Sequence, residues 1–316
     1  MPCTCSPPSW QKGGCDMTGR FAPSPTGRMH VGNVFCALLS WLSAKSRGGR
    51  WLLRIEDLDP QRSKRDFALQ LMDDLQWLGL PWDGEVVWQS ERHDIYHQYL
   101  NKLKAQGLTY PCFCTRADIM ATQAPHETDG RIVYAGTCRH RVLTDQERTQ
   151  PAATRLIVPD QDITFNDFHY GPQSINLARH CGDYILQRKD GAWAYQLAVV
   201  VDDALMGVTE VVRGRDLLLS SPQQLHLYRT LGLAEPQFCH HPLLINSEGQ
   251  RLCKRDKSLD LGYLRAQHTQ PADIIGRLAC LAGLQPEPAP ALPHQLLPAF
   301  SWQQVPTEDI VCHHEW

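Results

Sequence analysis

Fourteen residues, RFAPSPTGRMHVGN (20–33), constrain this chain more than any other stretch. Pro23 and Pro25 fix two backbone angles and Gly27 supplies a turn. The loop runs straight into VFCALLSWLSAKS, whose apolar periodicity predicts a helix starting just after Gly32 and Asn33. Cations in KSR followed by Gly48 and Gly49 mark its far end. RWLLRIED (50–57) then reads as a buried strand that delivers Glu56 and Asp57 at its carboxyl end. Strand ends and helix starts of this kind form the ligand crevice of open α/β sheets, and the N–H groups and dipole of a helix start favour a phosphate. Neither common phosphate loop matches: Gly27 is followed by Arg28 rather than by Lys-Ser/Thr, and there is no G-x-G-x-x-G. What the stretch offers a nucleotide is a small residue at Gly32, where a ligand can approach the backbone, and an imidazole donor at His30.

The rest of the chain limits the setting. With 316 residues, 42% of them hydrophobic and 21% charged, it can bury a full core, and its length suggests two domains. No apolar run reaches the roughly 20 residues of a membrane span, and MPCTCSPPSWQKGGCD (1–16) lacks the layout of a signal peptide. A cytoplasmic location with no membrane partner is expected. That first segment, rich in Pro, Gly, Ser and Cys, is expected to be a disordered tail, with Met17 an alternative start. Twelve cysteines scattered through a chain without an export signal point to free thiols rather than a disulfide framework. The net charge of −3 argues against a uniformly basic nucleic-acid coat, leaving local patches such as CRHR (138–141), which taken alone reads as solvated surface.

A second constellation begins at CFC, with Cys112 and Cys114, and closes at YAGTCRH, with Tyr134, Cys138 and His140. Three thiols so close in such a chain suggest tetrahedral zinc. On spacing and ligand chemistry alone His140 or His126 would be the fourth ligand. Cys36, Cys181, Cys239 and Cys280 sit in apolar surroundings and read as core thiols.

RFAPSPTGRMHVGN resembles the nucleotide-binding signature of class I aminoacyl-tRNA synthetases of the glutamyl type. The resemblance continues through LLRIEDLDPQRSK (52–64), WLGLPWDG (77–84), DYILQRKDGAWAYQLAVVVDDALMGVTEVVRGRDLL (183–218) and HPLLINSEGQRLCKRD (241–256). It implies an α/β fold: a Rossmann-type parallel sheet with an inserted zinc-bearing segment, a short helical C-terminal tail and no anticodon-binding domain. The expected divisions are a first Rossmann half over 17–109, an inserted RNA-facing segment over 110–180, a second Rossmann half over 181–235, and the lysine loop and tail over 236–316.

The same resemblance implies roles. His30, Gly32 and Asn33 at the helix start and Lys254 in the lysine loop would serve ATP, with Mg2+. Lys254 falls in RLCKR, where Arg251 and Cys253 replace the Lys and Ser of the usual K-L-S-K-R, and Lys257 is left as a bystander. Arg20, Glu56, Tyr195 and Arg213 occupy the glutamate-binding positions, with Phe21, Ala22, Pro23 and Ser24 contributing from the loop. Planar guanidinium forks suit carboxylates and Glu56 suits the ammonium. Without the resemblance, Arg20 and Glu56 would read as an ion pair with each other. An adenylyltransferase sharing the fold would lack that glutamate set. The resemblance also points to Tyr134 as the fourth zinc ligand beside Cys112, Cys114 and Cys138, as in the truncated paralogues that act on queuosine in tRNA(Asp).

That subgroup sets the expected partners: L-glutamate, ATP and queuosine-bearing tRNA(Asp), handled by a monomeric ligase. The alternative is a short glutamyl-tRNA synthetase charging a tRNA 3′ end. Arg116, Arg139 and Arg141 are the expected phosphate contacts.

Overall fold

A computed structural model describes residues 17–121, 133–250, 252 and 259–312. In chain order the first elements are β1 (Thr18–Phe21), α1 (Val31–Lys45), β2 (Arg50–Ile55), α2 (Arg65–Trp77), β3 (Val87–Trp88), α3 (His93–Ala105) and β4 (Thr109–Cys112). Then come α4 (Arg116–Ala121), α5 (Asp145–Arg148), β5 (Ala153–Leu156), β6 (Asp162–Asp167), β7 (Gly171–Asn176), α6 (Leu177–His180) and β8 (Tyr184–Gln187). The remainder holds α7 (Tyr195–Leu205), β9 (Glu210–Gly214), α8 (Ser221–Leu231), β10 (Gln237–His241), β11 (Leu244–Ile245), α9 (Leu261–Ala266), α10 (Pro271–Leu281), α11 (Pro293–Leu296) and β12 (Ile310–Val311).

Strands β1, β2 and β3 pair in parallel, as do β9 and β10. The two groups meet where the Thr209 amide donates to Thr18 O at 2.9 Å and the Thr18 amide donates to Thr209 Oγ1 at 2.9 Å. The spatial order is therefore β3-β2-β1-β9-β10, a doubly wound arrangement whose strand order reverses between β1 and β9. Strand alternation assigns each residue to a face. Phe21, Trp51, Leu53, Ile55, Val212 and Cys239 join the core that contains α1, whereas Val211 and Phe238, paired in register, join the core that contains α3, α7 and α8. Arg20, Arg54, Arg213 and His240 follow the second alternation and so lie on the α7 side of the sheet.

Helix α1 begins at Val31, two residues before Asn33, because His30 itself caps it: His30 Nδ1 accepts from the Gly32 amide at 3.1 Å and Asn33 Oδ1 accepts from the His30 amide at 3.1 Å. The helix is buried on nearly all sides. One flank faces the sheet; the other is covered by the C-terminal region, where Trp302 Nε1 donates to Ser43 Oγ at 3.0 Å and Ile274, Ile275 and Leu278 of α10 share its core.

The segment after α3 is built differently. Strands β4, β5 and β8 form an antiparallel sheet, and β6 and β7 an antiparallel hairpin. Because β8 pairs with β5, this sheet runs to Gln187, beyond the expected division at residue 180. Likewise β10, which pairs with β9, carries the parallel sheet to His241, beyond the expected division at 235.

Gly276 of α10 marks where the tail closes down: a methyl group there would sit 2.0 Å from Ala289 O. Gly276→Ala is expected to destabilise the protein by about 1–3 kcal/mol through overpacking, read as a lower midpoint in denaturant unfolding at unchanged slope. An unchanged midpoint would mean that the 285–291 link is not packed against α10.

Candidate active site

The carboxyl ends of β1, β2, β9 and β10 open onto a cleft of about 760 Å³. Arg20, Phe21, Ala22, Pro23, Ser24, His30, Gly32, Asn33, Glu56, Tyr195 and Arg213 all line it, so one cavity gathers every described residue of the two expected sets. Lys254, together with Arg251, Cys253 and Lys257, lies outside the described residues, as do His126 and the first sixteen residues.

The loop is tied to the strand it faces: the Glu56 amide donates to Pro23 O at 3.0 Å and the Lys64 amide to Pro25 O at 3.0 Å. Phe21 turns to the α1 side and stacks on Trp51, with centroids 6.0 Å apart. With Nδ1 of His30 engaged as an acceptor, the neutral imidazole carries its proton on Nε2. Gly32 permits this, because a methyl group there would lie 2.9 Å from His30 Cε1. The small residue thus makes room for the imidazole itself.

Arg20 and Glu56 do not pair with each other. Arg20 Nε donates to Asp203 of α7 at 3.3 Å and its Nη1 to Val212 O at 3.2 Å. Glu56 accepts from Arg54 Nη2 at 3.1 Å. Arg54, with none of its side chain exposed, also reaches Asp203 at 2.5 Å and lies 3.9 Å from Asp202. Asp202 in turn accepts from Arg92 Nε at 2.6 Å, Gln89 Nε2 at 2.7 Å and the Tyr96 hydroxyl at 2.7 Å. Three guanidinium groups (Arg20, Arg54, Arg92) therefore face three carboxylates (Glu56, Asp202, Asp203), and the network balances. Burial raises the Glu56 carboxyl above its usual range against the pull of Arg54. Burial acts the same way on Asp203, yet the flanking Arg20 and Arg54 hold it below.

Arg213 is arranged otherwise. It is buried on β9, and its donors go only to neutral acceptors: His240 Nε2 at 3.0 Å, Gln224 Oε1 at 2.8 Å, Ser221 Oγ at 2.9 Å, Tyr195 Oη at 3.4 Å and Leu217 O at 3.4 Å. No carboxylate pairs with it among the described residues, and burial lowers its pKa. A buried cation held by dipoles and open to a cleft is a receptor for an anion.

The partners Arg54, Asp202, Asp203, Gln224 and His240 escaped the sequence reading. A signal was present: Arg54 interrupts an apolar strand and Asp202-Asp203 end the apolar run of α7, and such charges are buried only when paired.

In the inserted sheet, the sulfur atoms of Cys112, Cys114 and Cys138 lie within 4.8 Å of one another, and no disulfide joins them. The Tyr134 hydroxyl lies 3.4 Å from Cys112 Sγ and 3.7 Å from Cys114 Sγ, and accepts from the Cys138 amide at 2.9 Å. The Cys114–Cys138 sulfur separation is 3.5 Å. A tetrahedral zinc requires edges of about 3.8 Å between sulfurs and about 3.5 Å between sulfur and oxygen, so this donor set fits the metal with Tyr134 in the fourth place. His140 is exposed and outside the cluster. Burial would raise the Cys138 thiol, but the Phe113 amide and its neighbours bring it down to about 7; Cys114 is pushed up to about 11 by burial. The expected phosphate-binding arginines are partly committed. Arg139 bridges Asp183 at 2.7 Å and Val158 O, and Arg141 pairs with Glu147, while Arg116 is exposed.

Known proteins resemble this chain in sequence and in fold. Residues 16–293 match the family of class I tRNA synthetases (E and Q), catalytic domain. The chain is 46% identical over 309 residues to the glutamyl-Q tRNA(Asp) synthetase of Symbiobacterium thermophilum, covering 93% of this chain and 95% of that one. It is 43% identical over 307 residues to that of Nitratidesulfovibrio vulgaris, covering 93% and 94%. It superposes, with a TM-score of 0.80 and 29% identity, on the crystal structure of a glutamate tRNA ligase from Elizabethkingia meningosepticum in complex with its amino acid, covering 94% of this chain and 67% of that one. The chain belongs to the class I tRNA synthetases of the E and Q type, and within them to the glutamyl-Q tRNA(Asp) synthetases.

Asp203→Ala would leave Arg54 buried without its nearest carboxylate, and a loss of about 3–5 kcal/mol is expected in denaturant unfolding. A loss below about 1 kcal/mol would mean that the strand and helix are held by apolar packing alone.

Proposed function

We propose that this protein activates L-glutamate with ATP to glutamyl-adenylate and transfers the glutamate to the queuosine base in the anticodon of tRNA(Asp). The observation that carries the first half is Arg213: a buried cation with only neutral partners, in the same cleft as Glu56. Arg213 and Arg20 receive the two carboxylates of glutamate, Glu56 receives the ammonium, and the Tyr195 hydroxyl and the 21–24 loop close the site. The substrate carboxylate attacks the α-phosphorus of ATP and pyrophosphate leaves, so the chain supplies positive charge and alignment rather than a nucleophile. His30 Nε2–H and the first turn of α1 at Gly32 and Asn33 serve the phosphates, and Lys254, with Mg2+, has the role of offsetting the charge of the departing pyrophosphate.

The acceptor half rests on the named relatives, whose lengths this chain matches at 94–95%. Queuosine presents a cis-diol that resembles a terminal ribose, so the same adenylate can serve it. Glutamate-dependent ATP–pyrophosphate exchange is expected without RNA, abolished by Lys254→Ala and nearly unaffected by Lys257→Ala. Glutamine should be a poor substrate, by roughly 2–5 kcal/mol, because an amide leaves the Arg213 charge unpaired. Labelled glutamate is expected on a queuosine-bearing anticodon stem-loop of tRNA(Asp), resistant to periodate oxidation of the tRNA 3′ end and absent when guanine replaces queuosine. Transfer to a tRNA 3′ adenosine instead would make the protein a short glutamyl-tRNA synthetase.

Zinc held by Cys112, Cys114, Cys138 and Tyr134 supplies a structural crosslink and no step of the reaction. Metal analysis is expected to find one zinc per chain, lost in Cys114→Ser and retained with lower affinity in Tyr134→Phe. Metal-free protein after gentle purification would reduce the cluster to a thiol pocket.

A further inference from the structure

Behind Arg213 stands a pair of side chains that touch no part of the cleft's substrate face yet are fully buried: His240 of β10 and Asp167 at the end of β6, neither with any side-chain exposure. Asp167 Oδ2 lies 2.6 Å from His240 Nδ1. Its other oxygen, Oδ1, accepts from three amides: Tyr170 at 2.9 Å, His169 at 3.1 Å and His240 at 3.3 Å. Across the ring, Nε2 accepts from Arg213 Nε at 3.0 Å. An arginine Nε–H can only donate. Nε2 must therefore be the bare nitrogen, and the proton must sit on Nδ1, where the Asp167 carboxylate receives it. Burial, together with the Arg213 charge, holds His240 down to about 4 against the pull of Asp167, consistent with a neutral ring.

We propose that Asp167 and His240 are a positioning pair for amino-acid binding: Asp167 fixes the Nδ1–H tautomer of His240, and the bare Nε2 aims the Arg213 guanidinium at the substrate carboxylate. The pair belongs to different parts of the chain. Asp167 ends a strand of the β6–β7 hairpin in the inserted segment, whereas Arg213 and His240 are register partners in the parallel sheet. The inserted segment thereby sets the orientation of the glutamate site from behind. This inference rests on the reading of Arg213 as the carboxylate receptor.

Asp167→Asn tests it with little change of shape. The amide oxygen can keep the three backbone donors, which places the NH2 group against His240 Nδ1. That nitrogen must then accept, the proton moves to Nε2, and two donors face each other at Arg213. In RNA-free exchange, the KM for glutamate is expected to rise about tenfold or more while the KM for ATP stays within about twofold. His240→Gln, whose Oε1 can replace Nε2 as an acceptor, is expected to keep the glutamate KM within about threefold of the parent. Adding Asp167→Asn to His240→Gln should then change nothing further. Nitrogen-15 NMR of the unaltered protein should report His240 protonated at Nδ1, and at Nε2 in Asp167→Asn.

An Nε2–H tautomer in the unaltered protein would overturn the proposal, as would an Asp167→Asn effect of the same size in the His240→Gln background. Arg213→Lys separates the two levels. If it leaves the glutamate KM unchanged, the reading of Arg213 itself falls. If it raises that KM while Asp167→Asn does not, only the positioning pair falls.

Discussion

A guanidinium with no exposed surface at the centre of a parallel sheet must be neutralised, and much of the site's order follows from how Arg54 meets that demand. Removing an ion from water costs several kcal/mol even after relaxation, and only well-placed counter-charges repay it. Asp203 does so from α7, 149 residues away in the chain, and Glu56 does so from two residues along. Helix α7 is thereby held at one register against β1 and β2, with Tyr195 at its first residue in the cleft and Asp203 about two turns later beneath the sheet. Arg20, sharing Asp203, takes its orientation from the same arrangement. These side chains are thus ordered before any ligand arrives, which spares the cost of ordering them on binding.

What could be read from the sequence was what is local. The proline-glycine loop, the helix behind it and the strand that follows are set by neighbours within a few residues, and they appear in the structure with their ends shifted by three residues at most. The largest such shift is the start of α1 at Val31, and it arises because the His30 imidazole caps the helix through its Nδ1. Partner choice was not legible. Arg20 and Glu56 look complementary in the sequence, yet each is satisfied by a residue on another strand or helix. The arginines near residue 140 look available for RNA, yet Arg139 and Arg141 are drawn to Asp183 and Glu147. Strand pairing also spans residues 180 and 235, and such pairing leaves no mark in composition.

The inserted sheet shows why a metal-type cluster belongs where it does. Its own apolar core gathers little more than Tyr110, Cys112, Tyr134 and Cys138 with their partly buried neighbours, too small to hold three strands by hydrophobic burial alone. Polar ties make up part of the difference. Asp183 accepts from the Tyr110 hydroxyl at 2.6 Å, from Arg139 at 2.7 Å and from the Val158 amide at 2.8 Å, and its own carbonyl accepts from Arg155. The Arg155 guanidinium also lies over the Tyr134 ring, 3.7 Å from its centroid. A cation placed there favours any negative charge that develops on the Tyr134 oxygen, which is the state a metal-bound phenol requires.

The neutral surroundings of Arg213 explain how a buried cation can be kept available. A carboxylate among its partners would compete with an arriving anion, as Asp203 does at Arg20, and would lessen the net gain on binding there. Hydroxyl, amide, carbonyl and imidazole acceptors satisfy the guanidinium's donor geometry without cancelling its charge. The neighbouring network does the opposite, matching three cations with three anions so that it contributes little net field. Among the described residues, Arg213 is then a buried guanidinium in the cleft with no carboxylate partner. An amide of the same shape would offer Arg213 one acceptor oxygen and no charge, so on the proposed reading an acid is favoured over its amide.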